Sequence, residues 1–333
     1  MTGRVAINGF GRIGRGVLRA LLAERSDLEV VAINDLTDGA TLAHLLEWDS
    51  VYGRLGREIS FADGELRVDD RRIKVFASAD PAQLPWGELG VDVVLESTGR
   101  FTRAEGARKH VEAGARRVLI SAPATGADLT VVYGVNDDLY DPEQHVIVSN
   151  ASCTTNAFAP LADVLDRLAG VEHGFMTTVH AYTQDQNLID GPHGDPRRAR
   201  AAALNIVPTT TGAAKAIGLV LPQLDGKLEG TSIRVPVPVG SIVELNATVS
   251  REVTLDEVLA AYRDAAAEGP LAGVLQYSED PLVSSDIVGN PYSSIFDSDL
   301  TQVDGRYVKV VAWYDNEWGF SNRAAQMLAK LAS

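Results

Sequence analysis

A single cysteine, Cys153, stands in the segment Ser149-Asn150-Ala151-Ser152-Cys153-Thr154-Thr155-Asn156. The apolar run His145-Val146-Ile147-Val148 comes just before it, and a helix-like stretch, Ala157 to Leu168, follows. This context predicts a thiol at a strand-to-helix turn, at the positive end of a helix. The expectation for such a thiol is a lowered pKa, and the thiolate is the form that acts as a nucleophile. Its hydroxyl and amide neighbours set it apart from a core cysteine packed among Leu and Val. Thiol chemistry also needs a base. Among six histidines, His180 lies inside the strand-like Thr177-Thr178-Val179-His180-Ala181-Tyr182-Thr183. A histidine in a strand is often only a satisfied structural residue, but here Thr183 ends the same strand and opens a basic loop. Arg234 sits among β-branched apolar residues in Thr231-Ser232-Ile233-Arg234-Val235-Pro236-Val237. A charge there is costly unless paired, either with an anionic substrate group or with a buried carboxylate. Thr209-Thr210-Thr211-Gly212 precedes a helix, where it offers hydroxyls and N–H groups to an anion, or serves as a simple N-cap.

A second constellation lies near the start. Gly9-Phe10-Gly11-Arg12-Ile13-Gly14 is a G-x-G-x-x-G that follows a strand pattern, Arg4 to Asn8, and opens a helix pattern, Arg12 to Leu22. Glycines permit the tight turn and let the backbone approach a pyrophosphate at the helix N-terminus. Asp35 ends the next apolar run, Glu29 to Asn34. A carboxylate there binds ribose hydroxyls and repels a 2′-phosphate, which predicts NAD rather than NADP.

These residues need elements to hold them. Further apolar runs at Val91 to Glu96, Arg117 to Ser121 and Val146 to Val148 alternate with helical stretches, which predicts a parallel sheet covered on both faces. Between Val51 and Val75, hairpin turns at Asp63-Gly64-Glu65 and Asp69-Asp70-Arg71 suggest an antiparallel insertion. After Cys153 the pattern changes. Gly174 to Tyr182 reads as a strand, Ser232 to Val239 and Ile242 to Val249 as antiparallel strands, and Thr211 to Leu221 and Thr254 to Glu268 as helices. Strand character returns from Ser294 to Tyr314, and Phe320 to Leu331 reads as a terminal helix. Gln184 to Pro208, with the basic cluster Arg197-Arg198-Ala199-Arg200, is long enough to suggest a functional or interfacial loop. The 333 residues favour two domains, and one cysteine fits a reducing compartment without a disulfide framework. A formal charge of −15 argues against nucleic acid or an acidic membrane surface as partner. No signal peptide, membrane-spanning run or metal site is expected.

Taken together, the chain resembles the phosphorylating glyceraldehyde-3-phosphate dehydrogenase family over essentially its whole length. The resemblance is carried by Ala151-Ser152-Cys153-Thr154-Thr155-Asn156, by Asn205 to Lys215, and by Trp313-Tyr314-Asp315-Asn316-Glu317-Trp318-Gly319. It implies an α/β fold with a Rossmann-type dinucleotide-binding domain, residues 1–150. It further implies an α+β catalytic domain with a largely antiparallel sheet, residues 151–316, and a C-terminal helix, 317–333, packing back on the NAD-binding domain. It implies Cys153 as nucleophile and His180 as its activator. Thr183 and Arg234 would hold the phosphate of glyceraldehyde 3-phosphate. Ser152, Thr154, Thr211 and Gly212 would hold the attacking inorganic phosphate, with Arg198 nearby. For NAD it implies Gly9, Gly11, Arg12, Ile13, Gly14, Asp35, Ser121 and Asn316. It also implies a cytoplasmic homotetramer with Gln184 to Ala203 at a subunit interface. Ala157 stands where most relatives have a second cysteine, and Ala79 and Asn187 replace commonly basic residues, while Pro192 resembles NAD-type members. A four-carbon substrate, erythrose 4-phosphate, a specialised paralogue, a semialdehyde dehydrogenase and a redox-sensing or binding protein on the same scaffold are the competing readings.

Overall fold

The computed structural model describes residues 3–24 and 27–333. Along the chain run β1 (Arg4–Asn8), α1 (Arg12–Ala23), β2 (Glu29–Asn34), α2 (Gly39–Glu47), β3 (Ile59–Ala62), β4 (Glu65–Val68), β5 (Arg71–Phe76), β6 (Val93–Glu96), α3 (Ala104–Glu112), β7 (Arg117–Ile120), β8 (Leu129–Thr130) and β9 (Ile147–Ser149). Then follow α4 (Cys153–Ala169), β10 (Val171–Ala181), β11 (Val207–Thr210), α5 (Ala213–Val220), β12 (Leu228–Val235), β13 (Ser241–Val249), α6 (Leu255–Ala267), β14 (Leu275–Ser278), β15 (Ser294–Asp297), β16 (Gln302–Asp304), β17 (Tyr307–Tyr314) and α7 (Trp318–Ala332).

The chain divides into two compact units. The first comprises the chain through Val131, Leu139–Ala151 and Ser321–Ser333; the second comprises Val132–Asp138 and Ser152–Phe320. In the first unit a sheet runs β3-β4-β5-β2-β1-β6-β7-β9-β8. From β5 to β8 every pairing is parallel. Short, continuously apolar strands make this possible, because both faces are buried: Val5, Ala6, Ile7, Val93, Val94 and Leu95 are fully enclosed. The β3–β4–β5 meander is antiparallel and turns at Asp63-Gly64 and at Asp69, with φ of 54°, 76° and 52°. Its two-residue connections are those the sequence predicts. From β1 the chain passes to β2 on one side and later to β6 on the other, so strand order reverses at β1. The carboxyl end of such a strand is where ligands bind in open α/β sheets.

In the second unit the sheet runs β11-β12-β10-β13-β17-β15-β14, with β16 on β17. It is mixed but mostly antiparallel. β12 and β13 run in opposite directions, as the sequence reads, but they are not neighbours: β10 lies between them, parallel to β12 and antiparallel to β13. Such nonlocal insertion leaves no trace in local pattern. Along β10 the two-residue period buries Met176, Thr178 and His180, while Phe175 and Tyr307 on β17 are well exposed. The helix α4 packs against β13, β15 and β17.

Candidate active site

The thiol turn begins after β9. Ala151 has a left-handed φ of 55°, which reverses the chain, and Ser152 caps α4 by accepting from the Thr155 amide at 3.0 Å. Cys153 is therefore the first helical residue. Its Sγ lies 3.4 Å from His180 Nε2, and His180 Nδ1 lies 2.7 Å from the Ala181 carbonyl. A carbonyl only accepts, so Nδ1 carries the proton and Nε2 turns its lone pair toward the thiol. The Tyr314 ring meets the imidazole edge-on at 5.8 Å, and its hydroxyl bonds Thr154 and Thr178 at 3.0 and 2.8 Å.

The electrostatics differ from the sequence expectation. Burial pushes the Cys153 thiol up, against the pull of the Arg234 charge and of hydrogen bonds from Thr154. Burial also pushes His180 down to about 3, and the Arg234 charge adds to that. Both shifts favour a neutral thiol facing a neutral imidazole. The helix start that suggested a ready thiolate is outweighed by desolvation.

A cluster built around two arginines adjoins this pair through the Ala181 carbonyl, which also accepts from Arg234 Nη1 at 3.2 Å. The same Nη1 donates to Thr183 Oγ1 at 2.8 Å. Arg234 makes no ion pair among the described residues, and its buried Nε has no partner. The buried salt bridge that would explain this arginine structurally is thus absent among them. Asp185, which the sequence reading passes over, accepts from the Thr183 hydroxyl and from Arg198 Nη1, the latter at 2.6 Å. Arg198 also donates to Thr209 Oγ1 at 3.1 Å and to the Thr210 carbonyl. Thr209 in turn donates to Asp195 at 2.6 Å. Arg198, Thr183 and Arg234 are brought together; Thr211 and Gly212 are not bonded to them. Thr211 Oγ1 accepts from the Ala213 amide at 3.2 Å, while Gly212, the N-cap of α5, leaves open space where a Cβ would stand. The hydroxyls of Ser152 and Thr154 are similarly engaged within the fold, as cap and as partner of Tyr314. Asn316, buried at the end of β17, has its Oδ1 3.0 Å from Ser241 Oγ.

In the first unit the glycine turn joins β1 to α1. Gly9 has φ +91°, and a Cβ there would lie 2.6 Å from the Thr98 amide nitrogen. A Cβ at Gly14 would lie 2.2 Å from the Gly9 carbonyl, so this glycine permits the close return of helix onto strand. Nothing lies within 4 Å of a Cβ at Gly11, and no side chain caps α1. This open, uncapped helix start fits a pyrophosphate, and a Cβ would intrude on that space. Asp35 accepts from the Phe10 and Thr37 amides at 2.7 and 2.9 Å, fixing the carboxylate beside the turn. Ser121 donates to the Glu96 carbonyl at 3.2 Å. The Arg12 side chain pairs with Asp49, and Ile13 follows it in the first turn of α1. Beneath lies a polar network that the sequence reading misses. Trp86 donates to His110 Nδ1 at 2.9 Å, His110 Nε2 meets Glu96 at 3.0 Å, and Asn8 links Glu96 to Asn34.

A Rossmann-type unit and a thiol–imidazole pair in one chain define the class of thiol-based, nicotinamide-dependent dehydrogenases. Residues 3–104 match the family profile described as glyceraldehyde 3-phosphate dehydrogenase, NAD binding domain, and residues 152–316 match that of its C-terminal domain. The chain is 74% identical over 330 residues, 99% of each chain, to glyceraldehyde-3-phosphate dehydrogenase of Kitasatospora aureofaciens. It is 59% identical to the enzyme of that name in Streptomyces coelicolor, over 98% of each chain. With that of Mycolicibacterium smegmatis the identity is 58%, over 99% of this chain and 98% of the relative. The chain belongs to the glyceraldehyde 3-phosphate dehydrogenase family.

Proposed function

We propose that the protein catalyses the NAD-dependent, phosphorylating oxidation of D-glyceraldehyde 3-phosphate to 1,3-bisphosphoglycerate through a thioester on Cys153. The carrying observation is the 3.4 Å approach of Cys153 Sγ to the lone pair of His180, whose tautomer the Ala181 carbonyl fixes. In this mechanism His180 Nε2 takes the thiol proton as Sγ attacks the aldehyde carbon. Transfer makes an ion pair in which each charge offsets the other's burial. His180 returns the proton to the aldehyde oxygen, giving a hemithioacetal. It then accepts the hydroxyl proton as hydride leaves the carbon, and a thioester results. Bound NAD⁺ supplies the hydride acceptor. An oxygen of inorganic phosphate attacks the thioester carbon, the C–S bond breaks, and the thiolate is recovered as the acyl phosphate departs.

Arg234 and Thr183 are the proposed ligands of the substrate phosphate, with the unpartnered Arg234 Nε as a further donor. Ser152, Thr154, Thr211 and Gly212, with Arg198, are proposed for inorganic phosphate; the supporting features are the N–H groups at the starts of α4 and α5. Gly9, Gly11, Gly14, Arg12, Ile13, Asp35 and Ser121 are proposed for the dinucleotide, and Asn316 for its nicotinamide carboxamide. A cytoplasmic, glycolytic homotetramer is the accompanying reading. Phe175, Leu188, Ile189, Leu204, Ile206 and Tyr307 support it, since each is more than 60% exposed in the single chain. Among the described residues no helix is long and apolar enough to cross a membrane.

The test is NADH formation from three- and four-carbon phosphorylated aldehydes, with and without inorganic phosphate. Phosphate-dependent turnover favouring the three-carbon aldehyde, and abolished in Cys153→Ala, is the expected result. Turnover that survives Cys153→Ala overturns the thioester route.

A further inference from the structure

We infer that Ser241 is a positioning residue that sets which way the Asn316 amide faces, and thereby selects the acceptor oxygen of the nicotinamide carboxamide. The inference rests on the role proposed above for Asn316. Ser241 opens β13 and pairs in register with Tyr314, two residues before Asn316. Both side chains are buried, at 1% and 4% exposure. The Ala181 amide donates to Ser241 Oγ at 3.0 Å. A peptide N–H can only donate, so the serine oxygen accepts there and its own proton must go elsewhere. The acceptor is Asn316 Oδ1, at 3.0 Å.

Rotating the Asn316 amide by half a turn would bring its NH₂ against the hydroxyl. The serine proton would then be stranded in a buried site, at the cost of an unmade hydrogen bond. The amide therefore holds one orientation. With Oδ1 engaged, Nδ2 makes no side-chain bond among the described residues. An amide so held presents donors only. It recognises a carbonyl oxygen and discriminates against a ligand group that also donates.

The backbone of Ala181 ties this asparagine to the rest of the site. Its N–H sets Ser241, and its C=O receives His180 Nδ1 at 2.7 Å and Arg234 Nη1 at 3.2 Å. The two peptide groups that flank the Ala181 Cα thus orient the base, the arginine of the proposed phosphate site and, through a single hydroxyl, the amide.

The competing account is that Ser241 only satisfies a buried backbone amide. Calorimetric binding of NAD⁺ and of ADP-ribose, which lacks the nicotinamide, separates the two. Ser241→Ala is expected to weaken NAD⁺ about tenfold while leaving ADP-ribose unchanged. Ser241→Cys keeps the shape with a weak donor and gives a smaller loss of the same selective kind. Adding Ser241→Ala to Asn316→Ala produces no further loss of NAD⁺ affinity, because the amide it orients is gone. Equal weakening of both ligands, no weakening of either, or additive losses in the double variant would overturn the inference. If the unaltered protein binds NAD⁺ no more tightly than ADP-ribose, the role of Asn316 itself falls, and that outcome is distinct from the others.

Discussion

The glycine turn and the thiol turn are built alike and finished differently. Each follows a parallel strand of the same sheet, β1 or β9, reverses through a left-handed residue and opens a helix. At the first the left-handed residue is Gly9, and Gly11 stands at the N-cap of α1 with no side chain to cap it. At the second it is Ala151, and Ser152 satisfies the Thr155 amide. An uncapped start leaves its donors to a charged ligand. A capped start holds still the side chain at the first helical position, here the thiol. On the function proposed above, one local device offers an anion site when its side chains are removed and presents a nucleophile when they are supplied.

The largest effect should come from the partner that the capped turn depends on. His180→Asn is expected to lower kcat by roughly 10²–10⁴, since it removes the proton acceptor facing Sγ. It should also change the acid response of the fold. The native imidazole has its pKa lowered from 6.5 to about 3, so below 6.5 the unfolded chain binds the extra proton. The stability this group contributes is present above pH 6.5 and is lost as pH falls from there toward 3. By about pH 4.5 the native protein should have lost roughly 3 kcal/mol from this source, and His180→Asn should lack that component. Urea unfolding of both proteins at neutral pH and near pH 4.5 checks it. Parallel losses in the two would remove the buried neutral imidazole from the account.

The uncapped turn can be broken at two glycines with opposite consequences. Gly9→Ala combines φ +91° with a Cβ 2.6 Å from the Thr98 amide nitrogen, so destabilisation on the order of 3 kcal/mol or more is expected. Gly11→Ala meets nothing within 4 Å, so stability should change by about 0.5 kcal/mol at most. Its methyl should nevertheless weaken NAD⁺ binding by about tenfold, because it enters the space left for the pyrophosphate. Thermal unfolding separates the two variants, and calorimetry on Gly11→Ala decides the rest. Unchanged NAD⁺ affinity there would break the claim that an open cap serves a ligand.

Much of this was legible where chemistry is local. The strand–glycine–helix run, the carboxylate of Asp35 and the hairpin turns at Asp63-Gly64 and Asp69 each depend on residues within a few positions. Two helices, α2 and α3, are not singled out by the sequence reading; in α3 the one apolar residue besides alanine is Val111, so it carries little periodicity. The placement of β10 between β12 and β13 escapes it too, because pairing between segments so distant in sequence is decided by packing. His180 and Cys153 are readable as chemistry, but their protonation is not: burial sets it, and burial belongs to the assembled fold. Asp185, Tyr314 and Ser241 are ordinary residue types whose importance comes only from what they touch. For Asp185 a signal existed, an acid two residues beyond Thr183 in the loop that carries the arginine cluster.

The smallest expected effect is at Ala151, where the exchange made at Gly9 is run in reverse. Ala151→Gly relieves a left-handed backbone at φ 55°, worth about 1–2 kcal/mol. Two terms oppose the gain. Glycine adds freedom to the unfolded chain, at about 0.4–1 kcal/mol. The methyl of Ala151 is fully buried, and its loss costs about 0.8 kcal/mol. The terms nearly cancel, so thermal unfolding should move little, in contrast to the large drop for Gly9→Ala. The thiol should be the more sensitive reporter, because the alanine restricts the backbone just before the cap that holds Cys153. Slower reaction of Cys153 with iodoacetamide at unchanged stability is the expected pattern. A stabilisation above about 2 kcal/mol with unchanged reactivity would mean that the turn stores strain without using it, and the likeness between the two turns would then be one of shape alone.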